Sequence, residues 1–95
     1  MMRQPKRNKY AREPEAELDL HGHTSFEARE ALRAFLDEAL RRKICTVRLI
    51  VGKGTHSPHG PVLPNVAKVI LREYGLPYTY GKLHEGGEGA LIVTL

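Results

Sequence analysis

The alternation of apolar and polar residues is sharpest in Glu17-Leu18-Asp19-Leu20-His21-Gly22. Read as a β-strand, this stretch turns Leu18 and Leu20 toward a core and places Asp19 and His21 on the opposite face, about 6.5 Å apart along the strand. Gly22 ends the strand, and Thr24-Ser25-Phe26-Glu27 has the spacing of a helix capping box. A helix is predicted from about Ser25 to Arg42, with Ala28, Leu32, Phe35, Leu36 and Ala39 forming one apolar stripe. Asp37 with Arg41, and Glu38 with Arg42, are acid-before-base pairs four residues apart. The pattern then changes period. Thr46 to Val51 is a β-prone run too continuous for a half-exposed strand and is expected inside the sheet. Strand, helix and strand in this order make a right-handed βαβ unit with parallel strands, so Gly52 leaves the sheet at the same edge as His21 and Gly22.

From Gly52 to Pro61 the chain is rich in glycine and polar residues, as a loop is. A second helix is expected over Val62 to Tyr74, with Pro64 in its first turn, Gly75 at its end and Pro77 beyond. Tyr78 to Lys82 alternates weakly, Leu83 to Gly89 is a glycine-rich connection, and Ala90 to Leu95 is strongly apolar; these form a terminal hairpin whose last strand runs inside the sheet. The order is therefore βαβαββ: an α/β fold in which a parallel pair and a hairpin share one mixed four-stranded sheet with two helices.

Length and charge limit what this fold serves. A chain of 95 residues holds one modest core and excludes a second domain. Cys45 is the single cysteine, so neither an internal disulfide nor a cysteine zinc cluster is available, and a reducing cytoplasm fits; as a residue just before a strand it is expected to be a small buried hydrophobe. No apolar run approaches the ~18 residues of a membrane span, and no secretion signal is visible. The net charge of +4 is unevenly placed. Arg3, Lys6, Arg7, Lys9 and Arg12 lie in a stretch without acids, leaving ten of the 15 basic residues against all 11 acidic ones. Residues 1 to 14 therefore read as a flexible basic arm, suited to phosphate backbones or simply a solvated leader, and 15 to 95 as the folded domain.

The chemistry gathers where the polar residues interrupt the pattern. The five histidines, at 21, 23, 56, 59 and 84, all fall in loops or strand ends. Asp19 and His21 suit an orienting acid and a general base, or could hold a divalent metal with His23 or His56; equally, Asp19 could cap a turn to which His21 bonds locally. Gly52-Lys53-Gly54 before a helix N-terminus favours an anion, most simply a phosphate, against an ordinary long turn. It is not a Walker loop, because the glycine required five residues before Gly52-Lys53 is replaced by Val47. Nor can His21-x-His23 belong to a barrel metallohydrolase, which needs about 250 residues.

Leu18-Asp19-Leu20-His21-Gly22 with Thr24 and an amphipathic helix, Gly52-Lys53-Gly54 after a second strand, and Gly86-Gly87-Glu88-Gly89-Ala90 leading into Leu91-Ile92-Val93 together resemble the Smr (small MutS-related) domain, over about residues 17 to 95. The resemblance implies a two-layer α/β sandwich similar to the C-terminal domain of a bacterial translation initiation factor. It further implies nucleic-acid binding and, in many members, endonuclease activity on DNA or RNA, with ribosome or repair machinery as associated partners. The family's acid and histidine fall on Asp19 and His21, and its glycine loop on Gly52 and Gly54; Lys53, His56 and the basic residues of the arm join them as phosphate-binding candidates. The cofactor is left open, Mg or Mn being the divalent ions considered, with Asp19, His21 and His23 as candidate ligands. One departure is Val51, where the family often has Thr or His; His56 and Ser57, present in the loop of some members, could compensate.

Overall fold

The computed structural model describes residues 14–52, 62–81 and 89–95. Its elements are β1 (Ala16–Asp19), α1 (Ser25–Arg41), β2 (Thr46–Ile50), α2 (Val62–Tyr74), β3 (Tyr78–Tyr80) and β4 (Ala90–Thr94). The predicted order holds, and one four-stranded sheet runs β1-β2-β4-β3. β1 pairs parallel to β2, with Asp19 beside Ile50, while β2–β4 and β4–β3 are antiparallel. The two apolar strands expected inside the sheet, β2 and β4, are its central pair.

Pairing register fixes the faces. Val47, Leu49 and Val51 share one face with Leu18 and Leu20 of the β1 segment and with Leu91 and Val93 of β4. These residues pack against Ala28, Leu32, Leu36 and Ala39 of α1 and Ala67, Ile70 and Leu71 of α2 in a single core. Phe35 is half-buried at its margin. Both helices thus cover one face, giving two layers. On the other face, the register neighbours Glu17 and Arg48 form an ion pair of 3.1 Å between half-exposed side chains.

The helix ends are specified locally. Thr24 is extended (φ −74°, ψ 168°) and its hydroxyl accepts from Glu27 N–H, while the Glu27 carboxylate accepts from Thr24 N–H, completing the predicted capping box. At the other end Lys43 N–H donates to Leu40 and Ile44 N–H to Ala39, a Schellman arrangement with Lys43 itself in the left-handed region at φ 59°. α2 closes the same way: Gly75 donates to Arg72 and Leu76 to Leu71, with Gly75 at φ 71°.

Some expectations give way. Arg41 pairs with Glu38 one turn back rather than with Asp37, because the Asp37 carboxylate instead accepts from the Tyr74 hydroxyl at 2.7 Å and ties α1 to α2. That bond raises the Tyr74 pKa, since ionising the phenol would destroy it. Arg33 and Glu73 add a second link between the helices, at 2.9 Å. Cys45 is exposed, not buried: it lies in the connection before β2, where its N–H donates to the Glu15 carboxylate and its side chain is outside the strand register. No helix among the described residues is long and apolar enough to cross a membrane.

Candidate functional site

The strand β1 stops at Asp19, two residues earlier than the alternation suggests. Leu20 N–H still reaches Ile50 O at 2.8 Å, continuing the ladder one step, but Leu20-His21-Gly22-His23 is a turn closed by His23 N–H to Leu20 O at 3.0 Å. Gly22, at φ 85°, supplies the positive dihedral required at the third position of such a turn. His21 is therefore brought to Asp19 by a turn and not by strand periodicity. One carboxylate oxygen of Asp19 accepts from His21 N–H at 3.0 Å and lies 2.7 Å from the ring Nδ1. Turn capping and acid–imidazole pairing, alternatives on the sequence, are made by the same atom.

Electrostatics sets the tautomer. The hydrogen bond from the His21 side chain, reinforced by that from its backbone, holds the Asp19 carboxyl below its ordinary range, so it is ionised near neutrality and can only accept. His21 must then carry its proton on Nδ1 and present Nε2 outward as the basic nitrogen. The side chains of His21 and Asp19 are 73% and 52% exposed, which leaves the pair open to a macromolecule as large as a nucleic-acid strand. His23 is oriented independently: its Nδ1 lies 3.0 Å from Leu20 O, an acceptor only, so Nδ1 is the donor in that contact.

The second strand end lies beside the first. Val51 is buried, and Val51 N–H and Gly52 N–H both donate to Gly89 O, at 2.9 and 3.1 Å. This clamp puts Gly89 at the same edge, a role that its sequence alone did not disclose. Gly52 has a positive φ of 74°. With its amide given to Gly89 O, it is not a free phosphate donor. Lys53, Gly54, His56 and Ser57 lie outside the described residues, as do Arg3, Lys6, Arg7, Lys9 and Arg12 of the arm, together with His59 and His84.

Among the described residues no three His, Cys, Asp or Glu side chains are grouped to hold a metal ion. Of the candidate ligands only Asp19 and His21 touch, and His23 is turned to its own backbone carbonyl.

A mixed sheet covered on one face by two helices, with an acid–histidine pair at the carboxyl end of β1 and a glycine clamp beside it, defines the class of small α/β domain that the sequence resembles. The Smr domain model matches residues 18–95, and the chain belongs to that family. The fold agrees. The structure is similar to the Smr domain of Thermus thermophilus MutS2 (TM-score 0.72, 32% identity, covering 84% of this chain and 96% of that one). It is also similar to Escherichia coli YdaL, a stand-alone small MutS-related protein (TM-score 0.81, 27% identity, covering 92% and 70%). In sequence it is 44% identical over 86 residues to an uncharacterized protein of Treponema pallidum (strain Nichols), covering 86% of this chain and 42% of that protein. It is 38% identical over 81 residues to the endonuclease MutS2 of Streptococcus sanguinis (strain SK36), covering 84% of this chain and 10% of the relative. The chain thus spans less than half of the first relative and a tenth of the second.

Proposed function

We propose that this chain is a nucleic-acid endonuclease of the Smr type, cutting the phosphodiester backbone of branched or structured DNA or of messenger RNA. The observation that carries the reading is the 2.7 Å contact between Asp19 and His21, which fixes a basic Nε2 on an exposed sheet edge. Its support from relatives is the endonuclease activity named for MutS2, whose Smr domain has this fold in the Thermus protein.

The chemistry follows from the pair. His21 Nε2 removes a proton from water, or from a ribose 2′-hydroxyl in RNA, as that oxygen attacks phosphorus. The phosphorus–oxygen bond to the leaving strand breaks, and the imidazolium returns its proton to the leaving oxygen. Asp19 keeps the ring in the productive tautomer and stabilises its positive form, as the acid of a hydrolase triad does. Negative charge on the phosphoryl oxygens needs cationic or N–H partners. Lys53, the Gly54 amide and His56 are assigned that role, with the arm residues Arg3, Lys6, Arg7, Lys9 and Arg12 on neighbouring phosphates; ribosome or repair machinery would present the substrate. Mg or Mn would add Lewis-acid charge neutralisation.

Binding without cleavage is the second reading, and the openness of the site favours it. Nothing among the described residues excludes water from the Asp19–His21 pair, whereas most hydrolytic sites are partly enclosed. End-labelled single-stranded RNA, duplex DNA and branched DNA, incubated with the full chain with and without EDTA, separate the two. Cleavage products support the endonuclease, and a salt-sensitive mobility shift without products leaves the binding module.

A further inference from the structure

Phe26 is the most exposed large apolar side chain of α1. It is 67% exposed, more than Leu40, Val69 or Tyr80. At about 100° per residue it stands about 160° around the helix from Ala28 and about 120° from Leu32, on the face turned away from the core. The helix N-terminus gives it no role either. A hydrophobic staple would pair His23 with Ala28, whereas Phe26 follows the first helical residue. The phenyl ring is not used in the core and is free to meet a ligand, and what lies beside it decides which.

Its neighbours say which. Phe26 shares a shallow surface depression with His21 and His23 and with the acidic residues Glu27 and Glu30. The two carboxylates repel phosphate, so a strand lying across this depression keeps its backbone over the histidines. What it can offer to the phenyl ring is a base. Base–aromatic stacking needs an exposed face on the nucleotide, and a base inside a duplex has both faces covered.

We propose that Phe26 is a stacking platform for an unpaired nucleobase next to the phosphate attacked at His21, so that the site selects single-stranded or locally unpaired nucleic acid. This rests on the reading of the Asp19–His21 edge as a nucleic-acid site and adds its substrate class. Glu30, in the same depression, offers a carboxylate able to accept from an exocyclic amino group of the stacked base.

The test uses the full-length chain and a short single-stranded oligonucleotide, RNA or DNA, carrying one 2-aminopurine, beside the same oligonucleotide annealed into a blunt duplex. Three variants divide the possibilities: F26A removes the side chain, F26L keeps apolar bulk without a π-face, and F26W keeps the π-face. Circular dichroism confirms that each folds, as a change at an exposed position allows. The expectation is that F26A and F26L bind the single strand about 5- to 150-fold more weakly and lose the quenching of 2-aminopurine, while F26W retains both and duplex affinity is unchanged throughout. Wild-type affinity in F26L, or an equal loss on duplex, overturns the proposal. So does self-association of the wild type that F26A abolishes, which would give the ring to a second copy. Quenching by wild type without cleavage removes the endonuclease and leaves the platform. Equal cleavage of single strands by wild type and F26A does the reverse, and no nucleic-acid binding by wild type removes both.

Discussion

Gly22 holds His21 against Asp19 through a backbone dihedral, and Gly22→Ala isolates what that dihedral contributes. At φ +85° an added Cβ meets nothing within 4 Å, so the substitution introduces no clash, only strain. An L-residue in the left-handed region costs about 1–2 kcal/mol. Restricting the unfolded chain returns about 0.4–1 kcal/mol. Taken at their midpoints these leave a net loss of about 0.8 kcal/mol, or a melting point lower by about 3–6 °C in a domain of this size. Gly75 is an internal control: its φ is +71°, its Cβ direction is equally open, and it ends α2 at the opposite edge of the sheet. Thermal unfolding followed by circular dichroism should show similar losses for G22A and G75A. Only G22A, assayed at a temperature where both are folded, should lose the Nδ1 proton signal of His21 and cleave more slowly. An unshifted melting point in G22A would refute the strain argument, and equal cleavage by the two variants would refute the positioning role of the turn.

Other outcomes follow from the same geometry. Lys43→Gly should reverse the sign of the Gly22 effect and raise stability by about 0.5–1 kcal/mol, read by chemical denaturation, because Lys43 sits at φ 59° where glycine has no penalty. The Asp19 carboxyl, followed by carbon NMR, should titrate below its ordinary value of 3.8, and in His21→Ala should move back up, since His21 is the cause of the shift. A depressed folded value contributes stability above the unfolded pKa and loses it as pH falls through the folded one, so this contribution disappears on the acid side, below about pH 4. Deleting residues 1 to 12 should flatten the dependence of log affinity on log salt by up to about 4 units if all five charges meet phosphates, at about 0.7–0.9 per contact; an unchanged slope would make the arm a bystander.

How much of this was legible in the chain depends on the range of the interactions involved. α2 could be bounded from Pro64, Gly75 and Pro77 because helix entry and exit are local chemistry, and it runs over Val62–Tyr74 as expected. α1 closes at Arg41 with Arg42 as its cap, by a left-handed Lys43 that no glycine announces. The central places of β2 and β4 were readable from their uninterrupted apolar runs. Their mutual pairing in the order β1-β2-β4-β3 was not, since it joins segments far apart in sequence. In the site, Asp19 and His21 were found together for an incomplete reason: period-two alternation pointed to them, but the contact is made by the Asp19 oxygen capping a turn at Gly22. The commitment of the Gly52 amide to Gly89 is again a long-range pairing hidden from local pattern. Phe26 carried a signal that was available, an aromatic residue outside the Ala28-Leu32-Leu36 stripe, and its meaning emerged only from its place beside His21.

The central claim is that His21 acts as a base while other groups bind the strand, and the most direct measurement is the ratio of cleavage rate to affinity in His21→Ala. Losing a general base typically lowers a rate by about 10² to 10⁴. Folded H21A should therefore bind the same labelled oligonucleotide with nearly wild-type affinity and cleave it more slowly by about that factor. Cleavage at the full rate by folded H21A would contradict the assignment outright. A fall in affinity that accounts for the whole fall in rate would instead make His21 a contact of a binding module.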